Sequence, residues 1–480
     1  MDARATTISS ELLQRITGAM RGERGPSFGG AWFSDAIFTG GAEFRGAIFT
    51  GGAEFSGATF TDGAWFAEAI FTGDVWFSGV TFTGGAEFNG AAFIGGAEFS
   101  GATFTRGVWF SGVTFTRGAQ FRGVTFTRGA GFSGAAFTGG AEFGGAVFES
   151  AEQLDLLSAT SVSLTGAQFA RQVVVEVSAA RLECEGTRFD AGAVVLIHRA
   201  SAAFQRAVFG APSAITADDR PFNDARAAAE QRLGITGGGP PEVVSLEGVD
   251  TADLVVTDLD LTRCRFAGAH HLDKLRLEGD CRFAHAPAGV RAGWTWPPVW
   301  RWTRRQVLAE ECDRRSAGPR PAGWPPRPPG IPALNAKRVT ALYRDLRKAM
   351  EDSKNEPGAA DFYYGEMEMR RHDPAAPRVD RLILLLYWLA SGYGIRATRA
   401  LMWLAALIAA ASLVLTTVGF TDPRPGFWLG VLYAAQCIVS LDSKLAILAW
   451  PGELVRLVLR LLGPLLIGLA LLAMRNRVKR

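Results

Sequence analysis

The sequence predicts an all-β solenoid, followed by an α-helical hairpin and an α-helical transmembrane region. Three observations predict this fold class. Phenylalanine recurs at gaps of five or six residues from Phe33 to Phe148. A segment rich in Trp, Arg and Pro then interrupts the repeats, and near the C-terminus residues 400–420 contain no charged side chain. A chain of 480 residues is also long enough to hold more than one domain.

The aromatic repeat is an 11-residue unit close to F-T-G-G-A-E-F-R-G-A-I, copied about ten times. Self-similarity at a short fixed period is typical of a solenoid. A small residue two places before each Phe, such as Ala42 before Phe44, points to the same side of a strand as the ring. Glycine permits the sharp corners between strands. The Phe residues are therefore predicted to stack on one another as the core.

The repeats resemble those of the pentapeptide-repeat family, most clearly at Ala252-Asp253-Leu254-Val255-Val256 and Thr257-Asp258-Leu259-Asp260-Leu261. Members of that family fold as right-handed quadrilateral β-helices, and the resemblance implies this fold here. The early repeats carry one extra residue in every second unit, which predicts 22 residues per coil in place of 20. A triangular β-helix with six-residue faces is the structural alternative.

We expect six segments along the chain, separated by changes in composition and periodicity. They are a capping helix (1–24), the solenoid (25–285, with an excursion near 217–242), a Trp/Pro/Arg-rich linker (286–333), a helical hairpin (334–375), an interfacial helix (378–394) and the transmembrane region (395–480).

Two segments of the transmembrane region, about 400–420 and 454–474, have the length and composition to cross a bilayer. Basic residues flank the outer ends of the two segments. The only basic residues in the stretch between them are Arg424 and Lys444. The positive-inside rule therefore places both termini in the cytoplasm. We expect a multi-pass protein of the plasma membrane, with the lipid bilayer as one partner.

A further apolar segment, 426–440, lies between the two spans and is either re-entrant or a third span. The order of span, short apolar helix, polar turn and span is similar to that of two-span potassium channels. The candidate pore-like turn is Asp442, Ser443 and Lys444. A potassium filter needs a row of carbonyls from a TVGYG-type loop, and this turn has no Gly, so we expect a degenerate, non-conducting relative. Residues 391–394 (SGYG) precede the first span and are interpreted as a helix-terminating turn.

The residue before every second Phe recurs at a spacing of eleven and is usually Trp or Glu. With 22 residues per coil, these positions form two outward columns on opposite faces. The first Trp/Glu column is Trp32, Glu54, Trp76, Glu98, Gln120 and Glu142. The second Trp/Glu column is Glu43, Trp65, Glu87, Trp109 and Gly131. Outward Trp favours a protein contact surface, with crowding of stacked surface rings as the alternative explanation. The candidate interaction surface comprises Trp32, Glu43, Glu54, Trp65, Trp76, Glu87, Glu98 and Trp109.

Several function classes are not expected. No nucleophile with a base, no phosphate loop and no HExxH motif is found, so neither enzyme activity nor a cofactor is predicted. No metal site is predicted, because the five Cys lack zinc-ligand spacing and the adjacent His270 and His271 alternate in direction. Some pentapeptide-repeat proteins mimic DNA, but residues 43–149 carry only nine acidic side chains against five Arg. With a net charge of +3, no nucleic-acid partner is expected.

These observations favour a membrane-anchored scaffold that displays a rigid cytoplasmic surface to a protein partner of unknown identity. The alternative is a subunit of an oligomeric ion channel of degenerate two-span type, regulated by the solenoid. Whether the chain forms a homo-oligomer is open.

Overall fold

The computed structural model describes residues 1–22, 25–218, 240–287, 289–292, 299–302, 305–317, 323–421, 426–439 and 448–478. These residues form two compact units, Met1–Ile331 with Lys348–Ser353 and Pro332–Arg347 with Lys354–Arg480. The first unit contains a parallel β-solenoid, and the second consists of helices. Most of the predicted excursion near 217–242 lies outside the described residues.

Four short strands make one coil of the solenoid. Ala31–Trp32 is followed by Ile37–Thr39, Ala42–Glu43 and Ile48–Phe49, and the next strand, Ala53–Glu54, pairs in parallel with Ala31–Trp32. The coil therefore has four sides and is not triangular. The sides are numbered here in that order, from side 1, which begins with Ala31–Trp32, to side 4.

Each side is a stack of short strands from successive coils. Side 1 comprises Ala31–Trp32, Ala53–Glu54, Val75–Trp76, Ala97–Glu98, Ala119–Gln120 and Ala141–Glu142. Side 2 comprises Thr7–Ser9, Ile37–Thr39, Thr59–Phe60, Thr81–Phe82, Thr103–Phe104, Thr125–Phe126, Val147–Phe148, Gln168–Phe169, Arg188–Phe189 and Val208–Phe209. Side 3 comprises Ala42–Glu43, Ala64–Trp65, Ala86–Glu87, Val108–Trp109 and Ala130–Gly131. Side 4 comprises Gly25–Phe28, Ile48–Phe49, Ile70–Phe71, Ala92–Phe93, Thr114–Phe115 and Ala136–Phe137.

The number of residues per coil changes along the solenoid. Ala64 pairs with Ala86, which confirms a 22-residue coil in the early repeats. Val173 pairs with Ala193 and Arg188 pairs with Val208, so these two coils have 20 residues. In this later part, 11-residue strands continue sides 4 and 1 without a corner between them, and shorter strands follow. These strands are Gln153–Ser163, Val173–Glu183, Ala193–Ala203, Ser213–Ala217, Glu242–Ser245, Leu254–Thr257 and Arg276–Glu278.

The core of the solenoid is the predicted phenylalanine ladder. Every Phe from Phe28 to Phe148 is buried, and rings from successive coils stack with centroids 4.5–5.4 Å apart, as Phe38 does on Phe60. The small residue two places before each ring is buried with it, as Ala42 is beside Phe44. Burial of each Phe contributes about 2 kcal/mol, so the ladder is the main source of stability in this part of the chain.

The N-terminal segment contains more than the predicted helix. Thr7–Ser9 pairs with Ile37–Thr39, so the first coil begins well before residue 25. Helix α1 (Ser10–Ala19) follows, capped by the Ser9 hydroxyl, which accepts a hydrogen bond from the Leu12 N–H at 3.2 Å. Arg21–Gly22 then pairs antiparallel with Gly25–Phe28. A three-residue strand has no periodicity of its own, which is why the sequence pattern revealed only the helix.

The segment predicted as a linker (286–333) also contains secondary structure. Ala284–His285 pairs antiparallel with Gln306–Val307, and Gly289–Ala292 pairs antiparallel with Val299–Trp302. Helix α2 (Ala309–Ser316) closes the end of the solenoid.

Two contacts hold α2 on the last coils. The Phe266 N–H donates to Glu310 Oε1 at 2.5 Å, and Arg265 Nε lies 3.1 Å from Asp313 Oδ2. Trp324 is buried against Val307 and Cys312. The predicted linker therefore caps the solenoid.

The remaining helices follow residue 332. They are α3 (Ala336–Asp352), α4 (Glu356–Arg371), α5 (Arg378–Ser391), α6 (Ala397–Val414, continued by a π-helical turn Leu415–Gly419), α7 (Phe427–Ile438) and α8 (Trp450–Val478). Asn355 caps the start of α4 by accepting the Gly358 N–H at 3.0 Å. Gly392 ends α5 in the left-handed conformation, with φ 56°, so the SGYG string is a helix-terminating turn as predicted.

Candidate interaction surface and membrane region

The two Trp/Glu columns are present as stacked positions. On side 1, Trp32 pairs with Glu54 and Trp76 pairs with Glu98, in parallel register. On side 3, Trp65 lies between Glu43 and Glu87, and Trp109 follows Glu87; the neighbouring Ala or Val of each pair faces the core. The sequence spacing of eleven therefore corresponds to two outward columns on opposite sides of a four-sided coil.

Three of the four column tryptophans are exposed. Their exposed fractions are 47% for Trp32, 38% for Trp76 and 48% for Trp109, whereas Trp65 is half-buried. Large apolar side chains at this level of exposure are uncommon in a column on a soluble surface. As far as Glu98 in the first column and Trp109 in the second, the columns therefore alternate Trp with Glu at a fixed spacing set by the core.

Glycines lie beneath the indole rings. A Cβ atom added at Gly63 would lie 2.6 Å from Trp65 Cζ2, and one added at Gly41, in the coil before, would also clash with this ring. Trp109 covers Gly107 and Gly85 in the same way, with distances of 3.1 and 3.2 Å. The rings therefore lie flat over the backbone of two successive coils. Packing between neighbouring coils accounts for part of their presence, and the outer face of each exposed ring is left open.

Arginines neutralise part of the acidic charge of the columns. Arg45 lies 3.3 Å from Glu43 and 3.1 Å from Glu87, so it connects two carboxylates of the second column past Trp65. Arg122 lies 3.3 Å from Glu142 of the first column. Ion pairs this exposed contribute little to stability, and the arginines can exchange partners.

A shallow groove runs along each column. The groove on side 3, of about 300 Å³, lies between Trp65 and Trp109 and is lined by Asp62, Glu87 and Arg106. The groove on side 1, of about 390 Å³, extends from Trp76 past Glu98 to Gln120. Each groove thus offers indole faces and carboxylates to the same ligand.

The second candidate site, the pore-like turn Asp442, Ser443 and Lys444, lies outside the described residues. Helix α7 ends at Ile438 before it and α8 begins at Trp450 after it.

Two helices of the second unit are long and apolar enough to cross a membrane. They are Ala397–Gly419 and Trp450–Arg475, and only 17% and 22% of their most apolar windows are buried. Apolar helices this exposed are unfavourable in water and are stabilised in lipid. Helix α5 also exposes apolar side chains, including Leu382, Ile383 and Leu386, but it is only 14 residues long.

The short apolar helix α7 packs against both long helices. Its Tyr433, Cys437 and Ile438 are buried in one cluster with Leu415 and Leu459. Small residues allow close approach: a Cβ at Gly463 of α8 would lie 2.6 Å from Ile438 Cγ1, and one at Gly430 of α7 would lie 3.0 Å from Thr416 Cγ2. Small residues at helix contacts are typical of packing within lipid.

The sequence analysis did not anticipate the buried ion pairs of α4. Glu366 interacts with Arg344 at 3.3 Å and Arg347 at 2.9 Å, whereas Glu368 accepts hydrogen bonds from Arg371 at 2.8 Å and from the Tyr393 hydroxyl at 2.9 Å. The two carboxylates have separate partners and do not form a paired acid–base site. Burial raises the pKa of Tyr393, so its hydroxyl stays protonated and serves as a donor. The SGYG turn therefore anchors the end of α5 to α4.

The histidines considered as metal ligands from the sequence are exposed. His271 Nδ1 lies 2.8 Å from Asp250 Oδ1, and Cys264 is buried. A different group, Glu176, His198 and Asp218, is brought together in the later coils. No sequence spacing indicated this group, because its members are 22 and 20 residues apart on strands with irregular pairing.

Short parallel strands, four-sided coils and a buried aromatic ladder define the first unit as a β-solenoid of short repeats. The sequence model of the family described as pentapeptide repeats (9 copies) matches residues 24–70, 66–114 and 110–152. These residues belong to the pentapeptide-repeat family, and the protein is a pentapeptide-repeat solenoid followed by helices, two of which could span a membrane. The pentapeptide-repeat solenoid is a structural repeat fold that is not typically catalytic. No curated protein and no solved structure was found to match the chain.

Proposed function

We propose that the protein is a membrane-anchored scaffold whose solenoid presents the two Trp/Glu columns to a protein partner at the cytoplasmic face of the plasma membrane. The observation that carries this proposal is the repeated exposure of Trp32, Trp76 and Trp109 on a rod with a rigid aromatic core. Indoles in such positions are typical centres of protein interfaces.

The spacing of the columns restricts the conformation of the partner. Successive coils are about 4.8 Å apart, so Trp residues in alternate coils of one column are about 9.6 Å apart. One turn of a polyproline II helix advances about 9.3 Å, since it has three residues with a rise of about 3.1 Å each. An extended proline-rich segment can thus place one residue on each indole along the column.

The charge of the columns restricts the partner's composition. Carboxylates such as Glu54, Glu87 and Glu98 lie between the indoles. Arginine or lysine can pair with these carboxylates and also stack on indole faces. We therefore expect a segment in which proline alternates with basic residues.

The test is direct binding of a synthetic proline–arginine repeat peptide to the full-length protein in lipid nanodiscs. The variant carries Trp32→Ala, Trp76→Ala and Trp109→Ala, which remove the three exposed indoles of the columns. The matched control carries Ile37→Ala, Ile94→Ala and Val208→Ala, which removes three exposed apolar side chains from the same solenoid outside the columns. We expect the peptide to bind the control as it binds the unmodified protein and to bind the Trp variant at least about 10-fold more weakly. Equal binding to both variants would remove the proposal.

The second candidate function is a subunit of an oligomeric ion channel. One observation favours it: the short helix α7 packs between two helices long enough to span a membrane. Cation flux through proteoliposomes containing the full-length protein tests this function, with Lys444→Ala as the variant. Ion-selective flux that changes in the variant would support a channel, whereas absence of flux through correctly inserted protein would leave the scaffold.

A further inference from the structure

We propose that Glu176, His198 and Asp218 form a binding site for a divalent transition-metal ion such as Zn²⁺ within the later coils of the solenoid. The site is separate from both Trp/Glu columns, and the proposal does not depend on the scaffold function.

The three residues come from consecutive coils. Glu176 lies on the strand Val173–Glu183, His198 on Ala193–Ala203, and Asp218 directly after Ser213–Ala217. The Asp218 N–H donates to the Ile197 carbonyl at 3.0 Å, which fixes its backbone beside His198. Backbone pairing between coils thus holds the ligands in place before any ion binds.

A β-bulge occurs at His198. Val177 pairs with Ile197, but the next residue, Ser178, pairs with Arg199, so His198 has no pairing position. The alternation of buried and partly exposed side chains breaks at the same point, because Ile197 and His198 are both buried. Bulges of this kind redirect a side chain and are frequent beside functional sites. This local irregularity is what brings the imidazole to the two carboxylates.

The donor atoms have suitable distances for one ion. His198 Nε2 lies 2.9 Å from Glu176 Oε1 and 3.6 Å from Asp218 Oδ2, and one ligand atom from each residue lies within 4.8 Å of the others. With metal–ligand bonds of about 2.0–2.1 Å, the donors of a tetrahedral site are about 3.3 Å apart. The distances of 2.9 and 3.6 Å lie on either side of that value, so small side-chain rotations complete the site.

Burial provides the energetic reason for a cation. The side chains of Glu176, His198 and Asp218 are only 7%, 2% and 5% exposed. Buried carboxylates require hydrogen bonds or a nearby positive charge, and a divalent ion held by both carboxylates and the imidazole supplies such a charge. One imidazole and two carboxylates suit Zn²⁺ or a neighbouring first-row metal, with a fourth position left for water.

The alternative is a metal-free cluster in which the imidazole bonds directly to the carboxylates, as the 2.9 Å distance between His198 Nε2 and Glu176 Oε1 allows. That cluster binds no metal tightly, so metal binding distinguishes the two arrangements.

The test uses the full-length protein in detergent, stripped with a chelator and titrated with Zn²⁺. The variants are Glu176→Gln, His198→Gln and Asp218→Asn, which change the donors at nearly constant volume. The matched control is His271→Gln, which removes an exposed histidine that also lies beside an aspartate. We expect one equivalent of Zn²⁺ to bind the unmodified protein and the control. Because loss of outer-shell partners alone lowers metal affinity about 10–100-fold, each ligand variant should lose at least that much.

A second measurement does not depend on the variants folding. X-ray absorption of the zinc-loaded unmodified protein should show one imidazole with oxygen ligands, and Zn²⁺ should raise the midpoint of thermal unfolding of the solenoid. No stoichiometric binding to the unmodified protein, undiminished binding to a folded ligand variant, or sulfur in the coordination shell would each overturn the proposal.

Discussion

Each indole of the second Trp/Glu column occupies space that glycine leaves free. Trp65 covers Gly41 and Gly63, and Trp109 covers Gly85 and Gly107. At Gly129, where the outward residue is Gly131 in place of Trp, a Cβ would have nothing within 4 Å. Tryptophan and glycine positions are therefore coupled, residue by residue, between successive coils.

The contact between indole and glycine predicts that alanine substitution destabilises the solenoid at Gly63 but not at Gly129, which occupies the equivalent position two residues before Gly131. Gly63→Ala would place a methyl group 2.6 Å from Trp65 Cζ2 and force the ring off the surface. We expect a loss of about 1–3 kcal/mol, seen as a lower unfolding midpoint of the solenoid by circular dichroism. Gly129→Ala, the control, should change stability by no more than about 0.5 kcal/mol. Equal destabilisation by both substitutions would contradict the packing described for Trp65.

The three buried thiols of the first unit are predicted to be inert. Burial raises the pKa of Cys184, Cys264 and Cys312, the last to about 12, so thiolate is scarce at neutral pH. Alkylation of the native protein at pH 8, followed by mass spectrometry, should leave these three cysteines unmodified, while Cys281, which is only partly buried, is modified first. Denaturation should expose all of them. Rapid native labelling of Cys264 would show that the last coils open.

At the scale of single elements, the stability with which helix α2 packs on the solenoid is predicted to depend on pH, because the Glu310 side chain is buried. This side chain is 2% exposed, and burial raises its pKa from 4.5 to about 7 although the Phe266 N–H favours the charged form. Protonation of Glu310 therefore stabilises the folded state. This contribution to the free energy of unfolding is fully present below pH 4.5 and is lost as the pH rises through about 7. The shift corresponds to about 3 kcal/mol.

We therefore expect the end of the solenoid to become less stable between about pH 5 and pH 8. Hydrogen exchange of the α2 backbone, compared across this range, measures the effect. Glu310→Gln keeps the shape of the protonated acid and should abolish the pH dependence, with protection at pH 8 similar to that of the unmodified protein at pH 5. An unchanged profile in the variant would assign the effect to another group.

In the two candidate spans and α7, glycines lie at the contacts between helices. Gly463→Val in α8 would collide with Ile438 of α7, whereas a Cβ at Gly468, on the same helix, meets nothing within 4 Å. We expect Gly463→Val to lower the thermal aggregation temperature of the detergent-solubilised protein and Gly468→Val to leave it unchanged. If Gly468→Val were the more harmful substitution, the packing of α7 against α8 would be different.

For the whole molecule, the two candidate spans predict that both ends of the chain lie on the same side of the membrane. We expect N- and C-terminal reporter fusions to be active in the cytoplasm, and Asp442→Cys to react with an impermeant maleimide from outside. A C-terminal reporter outside the cell would instead make α7 a third span. The same result would leave the basic residues at the C-terminus, among them Arg475 and Arg477, on the unfavoured side.

The sequence by itself determined the repetitive part of this protein. The 22-residue register and the membership of Trp65 and Glu87 in one column follow from a period that repeats many times. The four sides of the coil were implied by the family resemblance, and the strand pairing excluded the triangular alternative. In a solenoid each coil contacts only its neighbours, so local periodicity specifies the whole array. The two long apolar helices were predictable for a similar reason, since length and composition alone define them.

Only the tertiary structure decided the irregular parts. The strand Thr7–Ser9 is too short to show a period, and α2 became part of the cap because buried Glu310 bonds to the last coils. The cluster of Glu176, His198 and Asp218 depends on a one-residue shift in strand pairing at His198. The shift turns the His198 side chain toward the interior, and no pattern in the local sequence indicates it. Such features arise from contacts between residues distant in sequence, and they have no counterpart in a local pattern.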